Sequence, residues 1–121
     1  MDIFIVEDDL SFQKVYETFF KLKGVNIIGS AIKGEEALQK FANFPIKPDI
    51  ILMDYRLPDI NGLEVSKKIF EADPKARIVM LSGDASCEKK ALELGISEFL
   101  IKPCSLDLLY EVIYSIKPEL T

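Results

Sequence analysis

Carboxylate, hydroxyl and lysine side chains directly follow four of the five short apolar runs in this sequence. Glu7 and Asp8 follow the first run, Asp54 the third, Ser82 the fourth and Lys102 the fifth. Carboxylates gathered at one place repel one another unless a cation joins them or their pKa values rise. Oxygen ligands of this kind suit Mg²⁺. The set therefore predicts a divalent metal site.

Asp54 is the best candidate for a nucleophile within this set. A carboxylate can attack phosphorus when a metal offsets the negative charge of the incoming phosphoryl group. Lys102 would then bring a flexible positive charge to one phosphoryl oxygen, and the Ser82 hydroxyl would donate a hydrogen bond to another. These residue types together indicate phosphoryl-transfer chemistry.

Three other aspartates and both cysteines have simpler interpretations. Asp9 stands beside the start of a predicted helix, and Asp59 and Asp84 stand in loops, so we interpret them as cap and turn residues. Cys87 and Cys104 do not make a disulfide framework, and a chain without histidine is poorly equipped to hold zinc. Both cysteines are expected to pack as small apolar residues.

The elements that must position these side chains alternate between short apolar runs and longer segments of helical spacing. The runs are continuous, which is typical of parallel strands buried on both faces. Right-handed crossovers then predict an α/β fold, (βα)₅, with a doubly wound five-stranded parallel sheet and helices on both faces. Ligands of such sheets bind beyond the carboxyl ends of the strands, where the polar residues stand.

Two helices carry more detailed predictions. Spacings of three and four residues predict that the first helix buries Phe12, Val15, Tyr16 and Phe19. The last helix, predicted from about residue 105 to 116, has apolar residues on more than one side. Leu106, Leu109 and Ile113 are expected to face the sheet, and a second side carries Leu108, Tyr110, Val112 and Tyr114. An apolar surface larger than the core needs indicates a partner or a homodimer contact.

Composition limits the classes of function. A chain of 121 residues with 49% hydrophobic residues is expected to form one domain, residues 1–121. The formal net charge of −5 disfavours direct binding to nucleic acid or anionic membranes. No apolar run approaches the roughly 20 residues of a spanning helix, and the first residues lack a basic secretion leader. We therefore expect a cytoplasmic protein.

Four segments together resemble the receiver domains of bacterial and archaeal response regulators, and the resemblance covers essentially the whole chain. The segments are Val6-Glu7-Asp8-Asp9, Asp54-Tyr55-Arg56-Leu57-Pro58 with Gly62 following, Leu81-Ser82-Gly83, and Lys102-Pro103. The resemblance implies a flavodoxin-like sheet with strand order 2-1-3-4-5. It also implies a protein that is not an enzyme in the usual sense, because it catalyses only its own phosphorylation and dephosphorylation.

The resemblance implies that Asp54 is phosphorylated by a histidine of a sensor kinase or of a phosphotransfer protein. Mg²⁺, which Mn²⁺ could replace, would be held by the side chains of Asp8 and Asp54. The backbone carbonyl of Arg56 would be a further ligand, and Glu7 would act through a water on the metal. Ser82 would bind the phosphoryl group, as would Lys102, which a cis peptide bond before Pro103 would aim inward.

The resemblance further implies a switch in which Ser82 moves toward the phosphoryl group and Phe99 turns inward. The face formed by the fourth helix, fifth strand and fifth helix would then change for a downstream target or output domain. Phe99 replaces the more frequent tyrosine of the family, and plain core packing explains it nearly as well. Arg56 and Asp84 flank the expected path of attacking water and are predicted to tune dephosphorylation.

Two rival functions and one question of organisation remain open at this stage. A phosphatase of the haloacid-dehalogenase type also uses an aspartate and Mg²⁺, but its nucleophile follows the first strand, with an acid two residues later where this chain has Arg56. A phosphorylation-independent binding module would typically have lost the aspartate or the lysine, and neither is lost here. The chain is either a stand-alone regulator or a domain of a longer protein.

Overall fold

The computed structural model describes residues 1–116, which form one parallel sheet flanked by helices. The strands are β1 (Asp2–Val6), β2 (Asn26–Ala31), β3 (Ile50–Asp54), β4 (Ile78–Ser82) and β5 (Glu98–Ile101). The helices are α1 (Leu10–Leu22), α2 (Gly34–Asn43), α3 (Gly62–Ala72), α4 (Glu88–Leu94) and α5 (Leu106–Ile116). A short 3-10 helix, Ala85–Cys87, precedes α4. The strand order is 2-1-3-4-5, so the predicted doubly wound fold is confirmed.

The three central strands are buried along almost their whole length, as their continuous apolar runs predict. Alternate residues of each strand feed two separate cores on opposite sides of the sheet. In β3, Ile51 and Met53 pack into the core that lies under α2, α3 and α4. Ile50 and Leu52 pack into the core under α1 and α5. Because both faces of β3 are buried, its register in the sheet is fixed, and Asp54 lies at the carboxyl end of the strand.

The buried face of α1 differs from the predicted one. Its buried residues are Gln13, Tyr16 and Phe20, whereas Phe12 and Val15 are 53% and 47% exposed. The Gln13 side chain donates hydrogen bonds to the carbonyls of Glu7, directly after β1, and of Ala31, the last residue of β2, at 3.3 and 3.2 Å. The Gln13 side chain thus donates to two buried carbonyls, and α1 is oriented with Gln13 on its buried face.

The predictions for α5 are confirmed in their main part. Leu109 and Ile113 are fully buried against the sheet, and Leu106 is half-buried. On the second side, Leu108 and Tyr114 are each 45% exposed. Pro118, which comes after the predicted end of this helix in the sequence, lies outside the described residues. Within residues 1–116, no helix combines the length and the apolar character that crossing a membrane requires.

Candidate functional site

The polar residues that follow the strands meet at the carboxyl edge of the sheet, as predicted. They line one open cavity of about 500 Å³. Its lining includes Glu7 and Asp8 after β1, Asp54 at the end of β3, Ser82 at the end of β4 and Lys102 after β5. The parallel register brings these positions together, because Val6 pairs with Met53 and Ser82 pairs with Ile101. Arg56 and Asp84 also line the cavity.

Glu7, Asp8 and Asp54 form a compact acidic cluster in this cavity. One carboxylate oxygen of each lies within 4.8 Å of the others. Glu7 and Asp54 are only 2% and 5% exposed, whereas Asp8 is exposed. A small cation that binds oxygen and keeps some of its water fits this combination of two buried ligands and one open to solvent. The donor set therefore fits Mg²⁺.

Burial and mutual repulsion shift the acid–base properties of the cluster. Desolvation, with a hydrogen bond to Asp54, raises the pKa of Glu7 to about 7. Desolvation also raises the pKa of Asp54 above its usual range. Two carboxylates buried this closely repel each other, and the pKa values of both are raised although the Lys102 ammonium lies beside them. A bound divalent cation would remove that obstacle and favour the doubly ionised pair.

Lys102 places a positive charge beside the acidic cluster. Its ammonium lies 3.0 Å from Glu7 Oε1 and 3.2 Å from Asp54 Oδ1. Burial alone would lower the pKa of Lys102, but its contacts with the two carboxylates outweigh burial and raise it. The Lys102-Pro103 peptide bond is cis, as the resemblance implied. Lys102 is therefore charged and within reach of the oxygens of Asp54.

Ser82 is turned toward its own loop. Its Oγ donates to the Asp84 carbonyl and accepts from Asp84 N, both at 3.0 Å. The Cys87 thiol approaches this pair, with Sγ 3.5 Å from the Asp84 carbonyl. Asp84 accepts from Ser86 N at 2.8 Å, which confirms its interpretation as a cap. A hydroxyl that moves toward Asp54 must therefore first leave the backbone of Asp84.

The loop after Asp54 is held tightly against that residue. Gly62 N donates to the Tyr55 carbonyl at 2.7 Å. A Cβ at position 62 would collide with the carbonyl oxygen of Asp54. Asn61 caps α3 by accepting from Glu64 N at 2.9 Å. Glycine at position 62 thus allows α3 to begin directly against the end of β3.

Asp59 has a role that the sequence did not reveal. It was interpreted as a turn residue, but its two carboxylate oxygens accept from Gly34 N and Glu35 N, at 2.8 and 2.9 Å. The hydrogen bond from Glu35, with that from Gly34, lowers the pKa of Asp59 to about 2. The carboxylate therefore caps α2 across 25 residues of sequence. No local pattern signals a cap supplied from so far away.

The start of α1 is the other part of the site that sequence reasoning described incompletely. Asp9 caps the helix, as expected, and its Oδ1 accepts from Ser11 N and Phe12 N at 2.8 and 3.2 Å. Asp9 N in turn donates to Glu7 Oε2 at 3.2 Å. Phe12, predicted to be in the core, instead lines the acidic cavity. The apolar spacing in α1 fits more than one helix face, so it did not indicate that Phe12 is exposed.

Phe99 lies away from the cavity, within the core under α2, α3 and α4. It is 6% exposed and belongs to the same buried cluster as Cys87, Ala91 and Ile96. Its ring therefore occupies an inward position in this structure. Cys87 is buried and Cys104 half-buried, and both are free thiols, in accordance with their predicted packing.

Known proteins with the same sequence pattern and architecture are numerous. The family model described as the response regulator receiver domain matches residues 3–114. The chemotaxis protein CheY of Thermotoga maritima is 31% identical over 103 residues, with 84% of each chain covered. CheY of Listeria monocytogenes is 28% identical over 115 residues, covering 93% of this chain and 95% of its own.

Solved structures agree with these sequence matches. One chain in the crystal structure of the CheX-CheY-BeF3-Mg+2 complex from Borrelia burgdorferi superposes with a TM-score of 0.90 at 30% identity. The superposition covers 96% of this chain and 88% of that one. The CheY-like receiver domain protein of Methanospirillum hungatei gives a TM-score of 0.83 at 27% identity, covering 95% and 92%. This chain belongs to the family of response regulator receiver domains, the CheY-like modules of two-component signalling.

Proposed function

We propose that Asp54 accepts a phosphoryl group from a phosphohistidine of a sensor kinase or phosphotransfer protein, with Mg²⁺ bound at the cluster of Glu7, Asp8 and Asp54. The observation that supports this most strongly is the burial of Glu7 and Asp54 with the Lys102 ammonium 3.0 and 3.2 Å from their oxygens. Mg²⁺, when bound, neutralises charge on the carboxylates and the transferred group.

The residues of the chain would divide the remaining work. An Asp54 oxygen forms the bond to phosphorus while the bond from phosphorus to the histidine nitrogen breaks, and that nitrogen keeps the electron pair. Lys102 exchanges its contact with Asp54 for one with a phosphoryl oxygen. Ser82 leaves Asp84 and donates a hydrogen bond from its hydroxyl to another phosphoryl oxygen. The carbonyl of Arg56 would complete the metal ligands, and Glu7 would act through a water.

The output is proposed to run through the face formed by α4, β5 and α5. The movement of Ser82 would release the loop before α4, and Phe99 would hold its inward position behind it. On this face Leu92, Ile101 and Leu108 are 49%, 45% and 45% exposed. Exposed apolar side chains grouped in this way fit a downstream target, an output domain or a second copy of the chain.

The chain would be a signalling module whose only chemistry is its own phosphorylation and dephosphorylation. Arg56 and Asp84, at the mouth of the cavity, would set how readily water reaches the phosphorylated aspartate. We propose that residues 1–121 act as a single receiver domain in the cytoplasm, where the kinase partners of the family transfer their phosphoryl groups. Exchanging Arg56 and Asp84 together is then expected to change the decay rate without preventing phosphorylation.

Intact mass after incubation with acetyl phosphate tests the central claim. The parent chain should gain the mass of one phosphoryl group with Mg²⁺ and gain nothing with EDTA. Asp54→Asn should gain nothing under either condition. Asp73→Asn, an exchange of the same size in the loop after α3, should behave as the parent. If the folded parent chain gains no mass in any condition, the phosphorylation-independent binding module becomes the better description.

A further inference from the structure

We propose that Phe12 is a positioning residue for Lys102, holding the lysine ammonium in the acidic cavity through its ring face. The inference rests on the proposed phosphoryl transfer at Asp54, because it assigns Phe12 a part in that reaction. It begins from an anomaly. Phe12 is 53% exposed and belongs to neither core cluster, although a phenylalanine normally contributes to a core.

The backbone fixes Phe12 where its ring can reach the site. The Asp9 carboxylate accepts from Phe12 N at 3.2 Å, and Asp9 N donates to Glu7 Oε2 at 3.2 Å. Phe12 is therefore tied through one residue to the carboxylate that Lys102 contacts. Tyr16, one turn along α1 and 8% exposed, stacks against the ring with 6.5 Å between centroids. A buried aromatic neighbour thus lies beside the exposed ring.

The ring and the lysine meet within the range of a cation–π interaction. Lys102 Nζ lies 5.7 Å from the centroid of Phe12, inside the roughly 6 Å at which such attraction is significant. The same ammonium lies 3.0 Å from Glu7 Oε1 and 3.2 Å from Asp54 Oδ1. The ring thus adds a third contact to the ammonium of Lys102, whose side chain is 27% exposed.

The ring also separates two different environments. Phe12 and Lys102 both line the acidic cavity, and both line an adjoining apolar cavity of about 300 Å³ with Tyr16 and Leu106. Lys102 has a flexible four-carbon stem whose freedom opposes its placement. Without the ring, the stem could turn toward the apolar cavity or into solvent. With the ring, the ammonium remains directed at the oxygens of Asp54.

This arrangement has its effect when the charge on Asp54 changes. Transfer of the phosphoryl group requires Lys102 to release Asp54 and contact a phosphoryl oxygen. During that exchange the ring contact can persist, because it does not involve the carboxylate that reacts. Phe12 would thereby raise the fraction of molecules with Lys102 in place. Loss of the ring is expected to slow phosphorylation by acetyl phosphate about two- to fivefold, the range for an exposed cation–π contact.

The test compares Phe12→Tyr, Phe12→Leu and Phe12→Ala with the parent chain in Mg²⁺. A small phosphodonor is used so that docking of a protein partner has no influence on the rate. Tyrosine keeps an aromatic face, leucine keeps apolar bulk without one, and alanine keeps neither. The proposal expects the parent and Phe12→Tyr to react alike and both truncations to be slower. Cooperative unfolding of each variant, followed by circular dichroism, verifies that it is folded.

A second measurement does not depend on phosphorylation. The ε-methylene protons of Lys102 should resonate upfield in the parent and in Phe12→Tyr, because they lie near a ring face, and should lose that shift in Phe12→Leu. Equal shifts in all chains would overturn the proposal, as would a Phe12→Leu rate equal to that of the parent. A ring-dependent shift in a parent chain that accepts no phosphoryl group would instead show that the proposed function has failed while the contact exists.

Discussion

Removing the Asp59 carboxylate should destabilise the fold, because this carboxylate caps the N-terminus of α2. Asp59→Ala takes away the acceptors of Gly34 N and Glu35 N, which lie at 2.8 and 2.9 Å from its oxygens. Each hydrogen bond contributes about 0.5–1.5 kcal/mol net. Asp59 is exposed, so solvent screens its charge and the lower part of that range applies. We expect a loss of about 1–2 kcal/mol in the free energy of unfolding.

The same contacts predict how the loss depends on pH. The pKa of Asp59 is lowered to about 2 in the folded chain by the hydrogen bonds from Glu35 and Gly34. Its contribution to stability is therefore complete above the unfolded value of about 4 and disappears as pH falls toward 2. The difference between the parent and Asp59→Ala should be constant from pH 7 to 5 and should shrink between pH 4 and 2.

Urea unfolding at pH 7, 5, 4 and 3, followed by circular dichroism, measures both effects. At this chain length each kcal/mol corresponds to about 4 °C in Tm, so thermal scans give an independent value. Asp59→Asn is the matched control, because it keeps one acceptor and loses the charge, and should fall between the parent and Asp59→Ala at pH 7. An Asp59→Ala chain as stable as the parent at pH 7 would show that the α2 cap is not energetically important.

Three further outcomes follow from the structure. Mg²⁺ binding needs an ionised Glu7, and burial raises the pKa of Glu7 to about 7. The affinity of the chain for Mg²⁺, measured by calorimetry, should therefore fall about tenfold from pH 8 to pH 6. Glu7→Gln should remove most of that pH dependence. Ser66 is fully buried and its Oγ lacks a partner within residues 1–116, so Ser66→Ala should raise the unfolding free energy by about 1 kcal/mol; a lower value would mean that the hydroxyl has a partner. Gly62→Ala should lower the unfolding free energy by about 1–3 kcal/mol because its Cβ meets the Asp54 carbonyl, whereas Gly83→Ala, with no atom within 4 Å of the new Cβ, should lower it much less in the same urea titration.

The sheet and the convergence of the polar residues could be predicted because both depend on local patterns. A continuous apolar run fixes a strand buried on both faces, and the polar residue that ends it must then lie at the sheet edge. Asp54 and Lys102 are 48 positions apart, but each could be placed at the sheet edge from the strand that precedes it. The parallel sheet brings both strand ends to one edge, where Lys102 Nζ lies 3.2 Å from Asp54 Oδ1.

The parts that were not predicted depend on contacts between distant segments. The orientation of α1 follows the two hydrogen bonds that the Gln13 side chain donates to the carbonyls of Glu7 and Ala31. Spacing favoured Phe12 because the apolar residues of α1 span a wider arc than the face that is buried. The capping of α2 by Asp59 depends on how two loops meet, which neither loop reveals by itself.

The division of the core into two clusters has a consequence for how such chains diverge. Substitutions under α1 and α5 touch the cluster that contains Leu52 and Ile113, and those under α4 touch the one that contains Phe99. Changes at positions that share no partner combine nearly additively. The packing on one face of the sheet can therefore change during evolution with little effect on the packing of the other face.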